Sequence, residues 1–217
     1  RRVLFRSPGE VLETIITGTS ELFASLAEAG IHIHYLGGET ADVGDVVRTI
    51  AVNGTMCCRW PKNRLITNEK ISAGDVIVGF AGYGQSSYEK EYNSGIGSNG
   101  LTSARHDVLQ KHYAGISESY DPQLDRQVVY IGNYRLSDTV SVGGQYVSIG
   151  KLLLSPTRTF APLVKDMLKN RFESIHGMIH CSGGGQTKIL KYVPPGLRII
   201  KDRLIPVPPI FDIIDRK

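Results

Sequence analysis

Apolar residues recur at helical spacing between Pro8 and Gly30, with Val11, Leu12, Ile15, Ile16, Leu22, Phe23 and Leu26 along one stripe. Pro8 suits a first turn and Gly30 a C-terminal stop, so the spacing predicts an amphipathic helix. IHIHYL (31–36) then alternates, Ile31, Ile33 and Tyr35 against His32 and His34, which is the period of a strand. VVRTIAVNGTMCCRW (46–60) is rich in β-branched residues and predicts a long strand, bulged at Gly54 and ended by Pro61.

Polar residues 62–70 form a linker, and a second unit begins near residue 72, where a Gly-Asp turn feeds a buried strand, Val76 to Ala81. LTSARHDVLQKHY (101–113) sets Leu101, Ala104, Val108, Leu109 and His112 on one helical face, while the turn-rich, Tyr-rich stretch 114–150 predicts no definite element. Ser155 and Pro156 read as a cap and first position for the helix TRTFAPLVKDMLKN. Pro162 inside it would cost ~3 kcal/mol, so that helix is kinked there or starts late. A strand at 175–181, three glycines, a helix at 186–193, a strand LRIIKD and a proline-rich PVPPIF follow. Strands and helices in alternation predict an α/β or α+β architecture.

Composition adds limits. At 41% hydrophobic the 217 residues are of globular type, and no apolar run approaches the ~18 residues of a membrane span. Three cysteines, with Cys57 and Cys58 adjacent, make neither a disulfide framework nor a paired zinc pattern, which predicts a reducing, cytoplasmic setting. RRVLFRS at the start and DRK at the end read as non-native ends, residues 1–7 and 215–217. Setting aside Arg1, Arg2, Arg6, Arg216, Lys217 and Asp215 removes five of 25 basic and one of 21 acidic residues, leaving 20 of each. The net charge of +4 therefore gives no reason to expect a nucleic-acid partner, nor does the chain call for a membrane.

The candidate chemistry gathers at glycines. In IHGMIHCSGGGQTKIL (175–190), Gly183, Gly184 and Gly185 together are a local liability, since each gives up ~0.5–1 kcal/mol relative to alanine. Either a turn needs positive φ, or bare N–H groups hold an anion. His180 lies two residues before this turn, in reach of whatever the glycines approach. His176 and His180 share one strand face, as do His32 and His34, but no carboxylate or thiolate spacing completes a zinc site. Partly buried histidines satisfied by backbone carbonyls are the expectation, and Cys181 reads as a small core residue. Glu39 follows Gly37 and Gly38 at a strand end, either as a turn partner or as a ligand for a hard cation such as Mg²⁺. GIGSNG (95–100) matches G-x-G-x-x-G but sits more than ten polar residues after the preceding strand, and no Walker A sequence occurs.

Six blocks in order, GGETA (37–41), GDVIVGF (74–80), SNGLTSAR (98–105), LLSPTRTFAP (153–162), HCSGGGQTKIL (180–190) and PVPPIF (206–211), resemble phosphoribosylformylglycinamidine cyclo-ligases. The resemblance covers nearly everything between the suspected ends. It implies an N-terminal domain, of which residues 8–71 are the C-terminal part, whose strands build a β-barrel across a homodimer. Residues 72–214 correspond to an incomplete α/β C-terminal domain, with ATP and substrate meeting in a cleft between the two. The implied reaction is ATP-dependent, Mg²⁺-assisted closure of formylglycinamidine ribonucleotide to aminoimidazole ribonucleotide, through a phosphorylated imidate, with release of ADP and phosphate. Carried over by position, Gly37, Gly38, Glu39 and Thr40 contact nucleotide phosphate or Mg²⁺, and Ser98, Asn99 and Gly100 form a substrate-side loop. His180 with Ser182, Gly183, Gly184 and Gly185 faces phosphate, with Glu39 and His180 the catalytic candidates. Thr157 and Arg158 are weaker matches, Arg158 binding phosphate or serving only to cap and pair.

The chain departs from the family pattern in two places. Gly97 stands where a histidine usually precedes Ser-Asn-Gly, with His106 one turn later as a conceivable substitute, and Asp42-Val43-Gly44-Asp45 replaces Glu-Met-Pro-Gly. The family's Asp-Gly-Val-Gly-Thr-Lys segment is not found, so the expectation is a divergent, truncated member that is inactive by itself. Formylglycinamidine ribonucleotide synthase, thiamine monophosphate kinase, selenophosphate synthetase, the hydrogenase maturation protein and a non-catalytic ligand-binding homologue are the alternatives.

Overall fold

The structure is a computed structural model that describes residues 9–41, 50–97 and 101–216. Helix α1 (Gly9–Glu28) comes first. The strands β1 (Tyr83–Gly84) and β2 (Asn93–Ser94), helix α2 (Leu101–Val108), strands β3 (Thr139–Val142) and β4 (Gln145–Ser148), and helices α3 (Ile149–Leu153), α4 (Ala161–Asn170) and α5 (Pro209–Asp215) follow. Helix and strand are mixed, and the sheets of the described residues are two antiparallel pairs, β1 with β2 and β3 with β4.

The chain divides into two compact units. Residues 160–175 belong with the chain up to Ile66, and residues 67–159 belong with 176–217. In the first unit α1 ends as its glycine predicts. Gly30 takes φ 73°, its N–H donates to Ala27 O, and the Ile31 N–H donates to Leu26 O, both at 2.8 Å. This left-handed close satisfies carbonyls the helix would leave open. Lys165 of α4 adds its ammonium to the Ala29 and Gly30 carbonyls at 3.0 and 2.8 Å, a cation at the negative end of the helix. Pro162 lies in the first turn of α4, where its missing N–H is harmless, so this helix is the late-starting one. Ser155 does not cap it.

The second unit holds the large core: Ile96, Ala104, Val108, Leu109, Val129, Tyr130, Val142, Val147, Ile149, Leu152, Leu153 and Ile210. Ala104 and Val108 lie on the predicted face of α2, which ends well short of the predicted residue 113. The helix stops at Val108 because Leu109 and Gln110 turn to pair with Gly132 and Tyr134. Much of the remaining core comes from the stretch 114–150 that predicted no element. There β3 and β4 form a hairpin closed by Gly143 and Gly144, at φ 56° and 81°, the two-residue loop whose twist matches its strands.

Several strand expectations fail. Residues 31–36, the described part of 46–60, 76–81, 175–181 and 197–202 form no regular element and join no sheet. Alternation and β-branching dispose a segment to be extended, but a strand also needs a neighbour to take its N–H and C=O groups. Val76 to Ala81 is correspondingly not buried, Val76 being 85% exposed. The helix predicted over 186–193 is a 3₁₀ helix, Gly185–Lys191.

Candidate functional site

In the first unit the Glu39 turn lies within residues 31–41, which form no regular element. Gly37 takes φ 107°, a conformation glycine alone adopts readily, and Gly38 passes the Tyr35 hydroxyl so closely that a Cβ would stand 3.2 Å from it. Glu39 and Thr40 are exposed and make no hydrogen bond or ion pair among the described residues, so the carboxylate is open to a ligand. Among the described residues no three His, Cys, Asp or Glu side chains gather as a metal site. A cation held here would take one carboxylate and complete its shell from phosphate and water, the manner in which Mg²⁺ is usually bound.

In the second unit the glycine turn is built as the sequence requires. Gly184 and Gly185 both take left-handed backbone, φ 87° and 49°. The Ser182 N–H donates to His180 O and the Gly185 N–H to Ser182 O, at 3.2 and 3.1 Å, while the Gly184 carbonyl accepts from the Thr187 N–H and hydroxyl. The N–H groups of Gly183 and Gly184 have no acceptor among the described residues, and no Cβ screens them. Successive bare N–H groups in this kind of turn form a concavity suited to an anion. The positive-φ reading of the glycine run is thus met at Gly184 and Gly185. His180 is exposed beside it. Lys188 and Lys191 lie on the 3₁₀ helix that follows, and Lys201 donates to Gln186 Oε1 at 2.9 Å. No local pattern marks Lys201, because the fold brings it across 15 residues.

The histidines differ from expectation. His32, His34 and His180 are exposed rather than partly buried, and Cys181 is exposed rather than in a core. His176 is half-buried, with Nδ1 at 2.9 Å from both carboxylate oxygens of Asp75. The Ser72 N–H donates to the same carboxylate, and it and His176 hold the Asp75 carboxyl below its ordinary value. A carboxylate only accepts, so Nδ1 is the donor of this pair. Sequence reading missed Asp75 because 101 residues separate the partners.

Arg158 is buried and pairs with Glu89, Nε to Oε1 and Nη2 to Oε2, each at 2.7 Å. Its other donors reach the carbonyls of Ala81, Tyr83 and Gly84. All its N–H groups point into the protein, which realises the pairing alternative and leaves none for a phosphate. Its neighbours are tied to the same region. Ser155 Oγ accepts from the Ser94 N–H, the Pro156 carbonyl from Asn93 Nδ2, and the Thr159 carbonyl from the Tyr88 hydroxyl. This block is therefore a strap fastening residues 81–94. Ser98, Asn99 and Gly100, like Asp42 to Asp45, lie outside the described residues. Gly97 takes φ 61°, and a Cβ there would meet Thr157 Oγ1 at 3.1 Å. His106 is buried in the core, its Nδ1 accepting from the Tyr130 N–H at 3.3 Å.

No family model matches the chain. Curated relatives do. The chain is 31% identical over 207 residues to the phosphoribosylformylglycinamidine cyclo-ligase of Methanocaldococcus jannaschii, covering 95% of this chain and 48% of that protein. It is 30% identical over 212 residues to that of Geobacillus thermodenitrificans, at 96% and 50% coverage. With the Pyrococcus furiosus protein the figures are 29% over 210 residues, 96% and 49%. The chain spans about half the length of the curated relatives it matches, and no helix among the described residues is long and apolar enough to cross a membrane. Nearly the whole of this chain is thus similar to about half of a phosphoribosylformylglycinamidine cyclo-ligase, in agreement with the six blocks that first pointed there.

Proposed function

We propose that the protein to which this chain belongs closes formylglycinamidine ribonucleotide to aminoimidazole ribonucleotide at the expense of ATP. The observation that carries the reading is the continuous similarity, at about 30% identity over 96% of the chain, to proteins of that name. The amide oxygen of the substrate takes the γ-phosphoryl group, giving ADP and a phosphorylated imidate. A nitrogen of the same molecule then attacks the imidate carbon, the C–O bond breaks with loss of phosphate, and the nitrogen gives up its proton. ATP supplies the phosphoryl group that makes the oxygen a leaving group, and Mg²⁺ offsets the charge of its phosphates.

The chain's own residues are assigned within each unit. Glu39, exposed and without a hydrogen bond or ion pair among the described residues, is the Mg²⁺ or nucleotide-phosphate contact, with Gly37, Gly38 and Thr40 shaping its turn. In the second unit the free N–H groups of Gly183 and Gly184, framed by Ser182 and Gly185, bind phosphate oxygens. Donors fixed in advance lower the energy of charge that develops on such oxygens without reorganising. Exposed His180 beside them is a proton carrier for the leaving or attacking group. Ser98, Asn99 and Gly100 take the substrate side. Arg158 supports this region by fastening residues 81–94. Apolar segments of the first unit that lie outside any ladder, Leu36 being 94% exposed, suit strand pairing with a second copy in a shared barrel.

The test is a full-length assay in which ATP hydrolysis is followed with and without formylglycinamidine ribonucleotide. Hydrolysis that requires the ribonucleotide and yields aminoimidazole product bears out the reading. Gly97 favours a second reading, a ligand-binding homologue without turnover. Its left-handed backbone and the nearby Thr157 hydroxyl disfavour the side chain that usually stands there. Nucleotide binding with no ribonucleotide-dependent hydrolysis would select it.

A further inference from the structure

The turn 67–75 and residues 176–178, both in the second unit, are joined at three successive positions. His176 meets the Asp75 carboxylate. Gly177 crosses Ile71 and Asn68 so closely that a Cβ would stand 2.4 Å from Ile71 Cδ1 and 2.9 Å from Asn68 Oδ1. The Met178 N–H donates to Asn68 Oδ1 at 2.9 Å. Asn68 itself holds φ 66°, a strained setting for most side chains, and uses its amide oxygen to capture the neighbouring segment. On the far side, the Ser72 N–H keeps the Asp75 carboxylate in place. Only Ile179, His180 and Cys181 separate this clasp from Ser182 and the glycine turn. That short link is itself tied, the Ser182 N–H donating to His180 O at 3.2 Å, so movement at its anchored end passes to the turn.

We propose that the Asp75–His176 pair is a positioning element that sets where the glycine turn 182–185 presents its free N–H groups. Its value for catalysis rests on the reading of that turn as a phosphate site, but the coupling between pair and turn does not. Asp75 is the charged side chain within hydrogen-bonding reach of His176 among the described residues. Glu69 and Lys70 sit on the same turn, Glu69 being engaged by the Thr67 hydroxyl at 3.1 Å.

The experiment uses the full chain labelled with ¹⁵N, without ligand, and follows the amide shifts of residues 183–185 and the exchange of the Gly185 N–H, which donates to Ser182 O. Asp75→Asn and His176→Ala are each expected to move these shifts and to speed Gly185 exchange roughly tenfold. His176→Asn keeps a donor near the Nδ1 position and is expected to leave both close to the unsubstituted protein. Rescue by the conservative variant separates the pair's hydrogen bond from the mere loss of a ring. Glycine amides indifferent to both Asp75→Asn and His176→Ala would overturn the proposal. Should Asp75→Asn fail to fold, His176→Ala against His176→Asn decides it alone. Inorganic phosphate added afterwards tests the other reading. If it leaves the Gly183 and Gly184 amides unmoved while the substitutions shift them, the positioning role stands and the phosphate assignment falls.

Discussion

Arg158 and Glu89 form a two-point ion pair, both contacts at 2.7 Å, in which the arginine side chain is only 6% exposed and the glutamate 16%. The same guanidinium gathers three carbonyls from residues 81–84. Removing one partner strands the other in a poorly solvated place. Arg158→Ala or Glu89→Ala is expected to lower stability by about 3–5 kcal/mol, read by urea unfolding. Arg158→Lys recovers little of this, because an ammonium has no planar fork to span a carboxylate and three carbonyls. Stability unchanged in Arg158→Lys would contradict the strap.

Gly132 admits no side chain for a different reason. A Cβ there would lie 2.1 Å from the Val108 carbonyl carbon and 2.4 Å from Asp107 O, backbone atoms that a rotamer change cannot clear. Gly132→Ala is expected to cost about 1–3 kcal/mol or more and to loosen the bridge between Gln110 and Gly132. Thermal unfolding with amide exchange at Gln110 measures both effects. Gly183→Ala, where a Cβ meets nothing within 4 Å, is the control and changes stability little.

Acid should weaken the core of the second unit through His106. Burial pushes its imidazole below the ordinary value, with Arg105 acting in the same sense and Asp107 opposing. Protonation also removes the acceptor for the Tyr130 N–H, and the buried Nε2 has no partner of its own among the described residues. The contribution is complete above the unfolded-chain value near 6.5. It is lost as pH falls from there to the lower folded value, and below that it changes no further. Melting temperatures at about pH 7.5 and 5 should differ less in His106→Gln than in the unsubstituted protein.

What could be read from the chain alone follows how local each signal is. Helix α1 and its Gly30 stop depend on neighbours within a few residues, and both appear as expected. The glycine turn was legible for the same reason, since bare backbone at Gly183 to Gly185 needs nothing distant to interpret it. Partnerships were not legible. Asp75 with His176, and Arg158 with Glu89, are made across 101 and 69 residues, so neither half announces the other. The hairpin β3–β4 carried a visible sign in its Gly143-Gly144 loop, obscured by the irregular residues before it. The strand expected over 76–81 did not form, because whether a segment joins a sheet depends on a neighbour that it does not encode.

Glu39→Gln and His180→Ala should separate function from folding. Both positions are exposed and make no side-chain hydrogen bond among the described residues, so unfolding free energy should stay within about 0.5 kcal/mol. Turnover by the full-length protein is expected to fall by about two orders of magnitude or more in each, as when a charge-stabilising or proton-transferring group is lost. Rates near those of the unsubstituted protein would remove both residues from the site.

The most direct measurement follows one oxygen atom. Formylglycinamidine ribonucleotide labelled with ¹⁸O at its amide oxygen, incubated with the full-length protein, ATP and Mg²⁺, should deliver the label into inorganic phosphate, one atom for each aminoimidazole ribonucleotide formed. Ring closure with unlabelled phosphate, or ATP hydrolysis indifferent to the ribonucleotide, would contradict the proposed reaction.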